Sequence, residues 1–333
     1  MTAPTQRVLC ISRDPERLSR LAHAVERGGA TPVMARDLAA LEASADQTDA
    51  TGKVAAGALP FRFVLLALET DRSLFDRVVA RLRPSTQLIA VQQQTTLATT
   101  IDLLAEARCN HVVLDDEDGL ATIAVIVQKF VSGDLFGIEK YLPTGTMVQL
   151  TRLRDYKGRT AAIDEVLAYA EKVGVRSKIR SAIGQVCEEL LMNALYDAPV
   201  DVDGVSIFAE VETKARLDRL SPRPVSIRYA ATDSGFAVSV RDRFGRLDKG
   251  TVLRYIHKCL HSGEQIDRKV YGAGLGIYFI ASAATQFVLN VAPGMATEVV
   301  CTFDRKVARG TLRTVSIFVY PGAAPASTQA RIG

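Results

Sequence analysis

The chain has 333 residues, of which 48% are apolar and 23% are charged, a balance typical of a folded globular protein and not of a disordered one. The formal net charge is only +4 and the basic residues are spread along the chain, so nucleic-acid binding is not indicated. The length exceeds that of one typical hydrophobic core and predicts two domains.

The five cysteines are scattered, odd in number and free of metal-knuckle spacing. Reduced thiols in a cytoplasmic protein are the simplest interpretation of this pattern. No apolar run is long enough to cross a bilayer, and the N-terminal residues lack the charged-then-apolar layout of a signal peptide. We therefore expect a cytoplasmic protein that does not bind a membrane.

Residues 7–132 alternate short apolar runs with amphipathic runs, which predicts an α/β domain with a doubly wound parallel sheet. The predicted strands are Val8–Ile11, Thr31–Met34, Phe63–Leu68, Leu88–Val91 and His111–Leu114. The predicted helices are Pro15–Arg27, Leu38–Ala43, Ser73–Leu82, Leu97–Ala107 and Leu120–Val131. The polar stretch Ser44–Gly57 is predicted to be a loop.

This order of elements resembles the receiver domain of response regulators. Receivers carry an acidic pair after the first strand, a phospho-accepting Asp after the third and a Lys after the fifth. The corresponding positions here hold Ser12-Arg13-Asp14, Ala67 and Asp115-Asp116. An alanine cannot form an acyl phosphate, and a single carboxylate is a poor Mg²⁺ site. We therefore predict that residues 1–132 form a pseudo-receiver domain that is not phosphorylated and serves in docking or dimerisation.

The acidic run at residues 115–118 has two interpretations. It could hold a metal ion, or it could form a solvated turn and a helix N-terminus, where acidic side chains interact well with the helix dipole. We favour the second interpretation.

Turn-forming residues break the periodicity at 133–146, which is predicted to be a linker. Residues 147–320 are predicted to form a second domain, and residues 321–333 a flexible tail. The predicted helices of this domain are Thr160–Val173, Ser177–Ala198 and Ile277–Ala284. Its predicted strands are Met147–Leu153, Ser206–Val211, Val225–Ala230, Gly235–Arg241, Phe287–Val291, Val299–Phe303 and Thr314–Tyr320.

Four motifs follow one another in this second domain. They are E-x-x-x-N on a helix (Glu189, Asn193), D-x-x-G after a strand (Asp242, Gly245), G-x-G-x-G at Gly272–Gly276 and a Thr at the start of a late strand (Thr297). Glycines let backbone N–H groups approach a phosphate closely, and a helix that begins near Leu275 adds further donors. Asn193 offers an oxygen to Mg²⁺, and Glu189 could act as a general base. The residue types suit a site for a metal-bound nucleotide.

The order of the motifs resembles the GHKL (Bergerat-fold) ATPase superfamily, which includes histidine-kinase catalytic domains, anti-sigma-factor serine kinases, gyrase and MutL-type proteins. The resemblance covers about residues 147–320. It implies a two-layer α/β sandwich of Bergerat type that binds ATP and Mg²⁺.

Roles for individual residues follow from the same resemblance. It implies that Glu189 is catalytic and that Asn193 binds both Mg²⁺ and the nucleotide. The other implied nucleotide-binding residues are Asp242, which accepts a hydrogen bond from the adenine amino group, Gly245 over the base, Gly272, Gly274, Leu275 and Gly276 at the phosphates, and Thr297.

The chain departs from the family pattern D-x-G-x-G, because Phe244 and Arg246 replace its two glycines. Phe244 could stack on the base or partly fill the pocket. Residues 246–271 stand where the family has its lid, and their basic side chains could clamp phosphates or simply be solvated. Two histidines there, His257 and His261, are better explained by a surface helix turn than by a metal site.

Several activities of the superfamily are not expected here. No His precedes the ATP-binding domain on a long helix, as autophosphorylation requires, and no transducer domain of the gyrase or MutL type follows it. Two main hypotheses remain. The chain is a signalling protein that binds Mg-ATP and acts on a protein partner, such as a sigma or anti-sigma-type factor, as a serine/threonine kinase. Alternatively, it is a non-catalytic, ATP-gated scaffold that docks partners through the pseudo-receiver. Slow ATP hydrolysis is a weaker third hypothesis, and a homodimer is compatible with all three.

Overall fold

A computed structural model describes residues 6–38, 59, 61–69, 72–208, 219–261, 272–305 and 312–320, without the side chains of residues 261 and 272–275. The chain divides into two compact units. The first contains Met1–Leu135 and Arg313–Ser316, and the second contains Phe136–Leu312 and Ile317–Gly333.

The first unit is a parallel sheet with helices between its strands. Its elements are β1 (Arg7–Ile11), α1 (Pro15–Arg27), β2 (Thr31–Ala35), β3 (Phe63–Ala67), α2 (Ser73–Arg81), β4 (Gln87–Gln92), α3 (Leu97–Leu104), β5 (Cys109–Leu114) and α4 (Glu117–Ser132). The strand order is β2-β1-β3-β4-β5, and all four pairings are parallel. This is the doubly wound order found in receiver domains. The predicted receiver-like α/β fold is therefore confirmed.

Local sequence explains the bounds of these elements. All five residues of β3 are buried, as expected for a central strand covered on both faces. Helix α1 begins after Asp14, whose side chain accepts hydrogen bonds from the N–H groups of Glu16 (2.9 Å) and Arg17 (3.2 Å). Apart from Leu38, the predicted helix and loop at 38–57 lie outside the described residues.

The described residues of the second unit form an antiparallel sheet and four α-helices. Its elements are β6 (Gln149–Leu153), α5 (Tyr156–Lys172), α6 (Ser177–Met192), a π-helical turn (Asn193–Asp197), β7 (Val225–Ala231), β8 (Gly235–Arg241), α7 (Lys249–His261), α8 (Gly272–Ala283), β9 (Gln286–Ala292) and β10 (Ala296–Asp304). The strand order is β9-β10-β8-β7-β6. Helices α5 and α6 pack together, α8 packs against α6 and α7, and α6 and α8 contact strands of the sheet. The predicted two-layer α/β arrangement is present.

The last strand, β11 (Thr314–Val319), is divided between the two units. Its residues in the first unit pair antiparallel with β5, so that Thr314 lies opposite Val113 and Ser316 opposite His111. In the second unit, the Tyr320 N–H donates to the Val291 carbonyl at 2.7 Å. Sequence analysis had assigned this whole strand to the second domain.

Three predicted elements differ most from the structure. The described part of Ser206–Val211 contains only an isolated antiparallel bridge, Ser206 with Val200, which follows a turn where Asp201 accepts from the N–H groups of Asp203 (3.0 Å) and Val205 (2.9 Å). The charged stretch after Arg246 contains helix α7, whose Val252 and Ile256 are buried. Helix α8 begins at Gly272, five residues before the predicted start at Ile277.

Candidate functional site

The residues after α6 form a wide, π-helical turn. Buried Val186, Leu190 and Leu191 fix α6 in the core, and the N–H of Ala198 donates to the carbonyl of Asn193 at 2.8 Å. An i→i+5 turn rotates the following side chains away from their α-helical positions. Asn193 and Asp197 consequently both line the same cavity.

This cavity has a volume of about 470 Å³, within the range of small-molecule sites. Three predicted nucleotide-binding residues from separate elements lie in its wall: Asn193, Asp242 and Thr297. Most of the remaining wall is apolar. The other lining residues are Leu190, Ala194, Tyr196, Asp197, Ala198, Ser206, Phe208, Val240, Arg246, Leu247, Thr251, Tyr255, Ile277, Ile280, Phe287 and Val299.

Asp242, which follows β8, is 6% exposed and held firmly by the backbone. Its Oδ1 accepts hydrogen bonds from the N–H groups of Phe244 (2.7 Å), Gly245 (3.1 Å) and Thr297 (3.4 Å). Burial raises the pKa of this carboxyl, and the three backbone donors and the Thr297 side chain act in the opposite direction. No hydrogen bond within the described chain uses Oδ2. The carboxylate therefore has a fixed orientation and one oxygen available to a ligand.

Thr297 adds a second polar group beside Asp242. Thr297 is 3% exposed, and its hydroxyl stabilises the charged form of the neighbouring Asp242 carboxylate, so it lowers the pKa of that group. Asp242 and Thr297 therefore form one polar patch in the cavity wall, which a ligand with hydrogen-bonding groups can contact.

Phe244 does not line the cavity, so it neither narrows the cavity nor offers a stacking surface within it. It is 2% exposed, and the guanidinium carbon of Arg223 lies 5.2 Å from its ring centroid. Gly245 follows with φ +65° and packs against the backbone of residues 292–295. Of the two departures from the family pattern, only Arg246 reaches the cavity.

Glu189 lies beside Gly276 of the glycine motif, and not with Asn193, Asp242 and Thr297 in the cavity wall. It is half-buried and borders a groove between α5 and α6, and it is not among the residues that line the cavity. A Cβ at Gly276 would clash with the Glu189 carboxylate, so the absence of a side chain at Gly276 lets α8 pack against α6. Burial, and secondarily the charge of Asp197, raises the pKa of Glu189.

The glycine motif lies inside a helix and not in a loop before it. Gly272, Gly274, Leu275 and Gly276 form the first turns of α8, and the preceding residues 262–271 lie outside the described chain.

Replacement of Glu189 by Gln tests the electrostatic strain at this carboxylate. A raised folded-state pKa means that the folded protein holds the proton more tightly, so this group contributes stability at low pH that is lost as pH rises through its folded pKa. We expect Glu189→Gln to unfold at the wild-type temperature when the pH is below the ordinary pKa of a glutamate, and at a higher temperature than wild type once the pH exceeds the raised pKa. Thermal unfolding followed by circular dichroism across this pH range measures the difference. A variant that is less stable than wild type at alkaline pH would contradict the expectation.

Asp197 also lines the cavity, although none of the four sequence motifs falls on it. The available signal was its position four residues after Asn193. Thr251 and Tyr255 of α7 were also missed, since the helix that carries them was not predicted.

The first unit has a charged cluster at the carboxyl ends of its strands, where doubly wound folds usually bind ligands. The Arg17 guanidinium donates to the carbonyls of Leu68 (2.9 Å) and Val91 (3.1 Å) and forms a buried ion pair with Asp115. Asp116 instead caps α4 by accepting from the N–H of Gly119 at 2.8 Å. The acidic run is therefore not simply solvated. The described residues contain no group of three or more His, Cys, Asp or Glu suited to a metal ion.

None of the described helices combines the length and the apolar character needed to span a membrane.

No family model and no curated protein matches the chain. Thirty-one chains of solved structures match. One is a response regulator from Thermotoga maritima, 11% identical, which covers 39% of this chain and 99% of its own with a TM-score of 0.31. Another is an orphan response regulator of H. pylori, 11% identical, with 38% and 99% coverage and a TM-score of 0.30.

A third match comes from the SiaB-SiaC complex of Pseudomonas aeruginosa, 13% identical, with 46% and 88% coverage and a TM-score of 0.33. Likenesses at this level say nothing about activity.

Proposed function

We propose that the second unit binds an adenine nucleotide with Mg²⁺ in the manner of GHKL ATPases, and that the protein uses this site to regulate a protein partner in signalling. One observation supports the proposal above all. Asn193, Asp242 and Thr297 come from three separate elements and line one cavity, where Asp242 keeps an oxygen available.

The base would bind at Asp242. Its Oδ2 can accept a hydrogen bond from the adenine amino group, and the Thr297 hydroxyl can bond a ring nitrogen or a water beside it. The apolar side chains of Val240, Ile280 and Val299 suit the faces of a flat aromatic base. These features favour a purine that carries an amino group at the bonded edge.

Asn193 and Asp197 would hold the metal ion. Both line the cavity, and amide and carboxylate oxygens are the ligands that Mg²⁺ prefers. The ion, when bound, supplies positive charge that neutralises the phosphates. Asp197 extends the predicted metal site, which had Asn193 alone.

The position of Glu189 favours nucleotide binding without catalysis. A general base must lie within hydrogen-bond reach of the proton that it takes, and Glu189 does not border the described cavity. The ATP-gated scaffold is therefore the better supported form of the proposal. A serine/threonine kinase is the second candidate, because Glu189 is one helical turn from Asn193 and its raised pKa suits a base.

The first unit would serve as a docking module. It has the receiver-like strand order, but Ala67 stands at the phospho-acceptor position and Arg17 fills the crevice at the strand ends. These features support a protein-binding role that does not depend on phosphorylation.

A titration with a fluorescent ATP analogue tests the proposal. The same titration of Asp242→Asn tests whether this carboxylate recognises the base. Oδ1 accepts three backbone N–H groups, so the Asn carbonyl would take that place and its NH₂ would point where Oδ2 was. A donor would then face the adenine amino donor. We expect about a tenfold or greater loss of ATP affinity. Inosine triphosphate has a carbonyl in place of the amino group. The affinity of Asp242→Asn for this nucleotide should fall much less than its affinity for ATP, or should rise.

Each outcome tests a different part of the proposal. Wild-type protein without Mg²⁺-dependent binding at millimolar ATP would overturn the proposed function. An equal loss for ATP and inosine triphosphate in Asp242→Asn would show that Asp242 does not read the base. Incubation with labelled ATP and a cell lysate then distinguishes the two candidates, since only a kinase transfers label, and Glu189→Gln should abolish the transfer.

A further inference from the structure

Arg246 places a cation in a cavity wall whose other charged side chains are acidic. The described lining residues include two carboxylates, Asp197 and Asp242, and Arg246 is their one Lys, Arg or His. A nucleotide brings several negative charges into this space. Among the described side chains of the wall, Arg246 is therefore the one positively charged partner for these phosphates. The other possible partners are a metal ion and backbone N–H groups.

The guanidinium of Arg246 is not engaged elsewhere. Within the described chain, Arg246 forms no ion pair and its side chain makes no hydrogen bond. Its side chain is exposed, and Nη1 lies 3.7 Å from the place that a Cβ on Gly204 would occupy. The group thus stands at the cavity beside the Gly204 turn with its donors available.

The two acids do not neutralise Arg246. The Asp242 carboxylate is held by backbone N–H groups through Oδ1, and no described ion pair joins Arg246 to Asp197. A guanidinium with free donors matches phosphate in shape, since it can present two parallel N–H groups to two oxygens. A neutral base or sugar has no pair of anionic oxygens to accept these two N–H groups, so it would bind the guanidinium more weakly.

We infer that Arg246 binds a phosphate group of the nucleotide and makes the site selective for phosphorylated ligands. The inference rests on the proposed function. It also gives a purpose to the substitution of glycine by arginine in the D-x-G-x-G pattern. A glycine offers only its backbone to a phosphate, whereas Arg246 adds a charged, bidentate contact. In sequence, Arg246 lies well before the glycine-rich helix α8.

Arg243 supplies a matched control. It is an exposed arginine three residues earlier in the same segment, and it does not line the cavity. Arg243→Ala and Arg246→Ala therefore remove the same charge from neighbouring surface positions. Neither change is expected to affect folding, which circular dichroism verifies.

The experiment measures the affinities of ATP, ADP, AMP and adenosine by calorimetry with Mg²⁺ present. We expect Arg246→Ala to weaken ATP binding by about tenfold or more and adenosine binding by less than about twofold. Arg246→Lys should fall between wild type and alanine, because it keeps the charge and loses the fork. Arg243→Ala should bind all four ligands as wild type does. The AMP result shows whether the phosphate nearest the ribose is the one bound.

Equal losses for ATP and adenosine would overturn the inference, and so would equal effects of Arg243→Ala and Arg246→Ala on ATP. In both cases wild-type ATP binding would still stand, so the proposed function would survive. If wild type binds no nucleotide at all, the proposed function fails and the inference fails with it.

Discussion

Replacement of Gly245 by Ala should destabilise the second unit by about 3 kcal/mol or more. Gly245 has φ +65°, a conformation that costs a residue with a Cβ about 1–2 kcal/mol. A Cβ at this position would also clash with the Ala292 carbonyl and approach the amide nitrogens of Gly294 and Met295 at 2.8 Å. Backbone atoms cannot rotate away as a side chain can, so overpacking adds about 1–3 kcal/mol. Urea unfolding followed by circular dichroism measures the change.

Gly294→Ala is the matched control for this prediction. Gly294 has φ +72°, yet a Cβ there would meet nothing within 4 Å. Gly294→Ala should therefore cost only the conformational free energy of the positive φ, about 1–2 kcal/mol. Equal losses in the two variants would refute the role of the close approach. Because Gly245 donates to Asp242 at 3.1 Å, Gly245→Ala should also weaken nucleotide binding, whereas Gly294→Ala should not.

Elements with a strong local signal could be predicted from the sequence. Helix α1 was predicted with its observed bounds, Pro15–Arg27, because it has a capping Asp, a proline in its first turn and a regular apolar stripe. Strand β8 was also predicted with its observed bounds, Gly235–Arg241. The parallel order of the first unit followed from the alternation of strands and helices.

Elements that depend on distant contacts were harder to predict. Helix α7 has a helical apolar spacing at Val252, Ile256 and Leu260, but the charged residues and histidines between them hid that pattern. The π-helical turn cannot be found by a search at 3.6 residues per turn. The pairing of Thr314–Ser316 with β5 joins residues two hundred positions apart, which no local pattern records.

The residues of the candidate site also divide into those that sequence motifs identify and those whose positions depend on packing. Sequence motifs identified Asn193, Asp242 and Thr297, and all three line the same cavity. The relation of Glu189 to Gly276 depends on how α6 and α8 pack, which the motifs do not specify. The place of Arg246 in the cavity wall likewise follows from the course of the chain after Asp242.

The crevice of the first unit shows how a receiver-like fold can be stabilised without a metal. Arg17 bridges the carboxyl ends of β3, β4 and β5 through the Leu68 carbonyl, the Val91 carbonyl and Asp115. Its positive charge lies where a receiver would hold a cation among carboxylates. We expect the first unit to keep its structure without Mg²⁺ for this reason.

Arg17→Met should therefore destabilise the first unit by about 3–5 kcal/mol, since it leaves a buried carboxylate without its main partner. The side chains of Arg17 and Asp115 are 4% and 3% exposed, and only the exposed Arg20 would remain, 3.3 Å from Asp115. Hydrogen exchange measured by mass spectrometry should show faster exchange in β3, β4 and β5 and little change in β8 and β10.

Two further variants decide whether charge burial is the cause. Arg13→Met breaks an exposed ion pair with Glu69, whose side chains are 52% and 36% exposed, and should cost less than about 1 kcal/mol. The double variant Arg17→Met with Asp115→Leu removes both buried charges and should recover most of the lost stability. If the double variant is as unstable as Arg17→Met alone, then the two hydrogen bonds from Arg17 to the strand-end carbonyls, and not the ion pair, hold the crevice together.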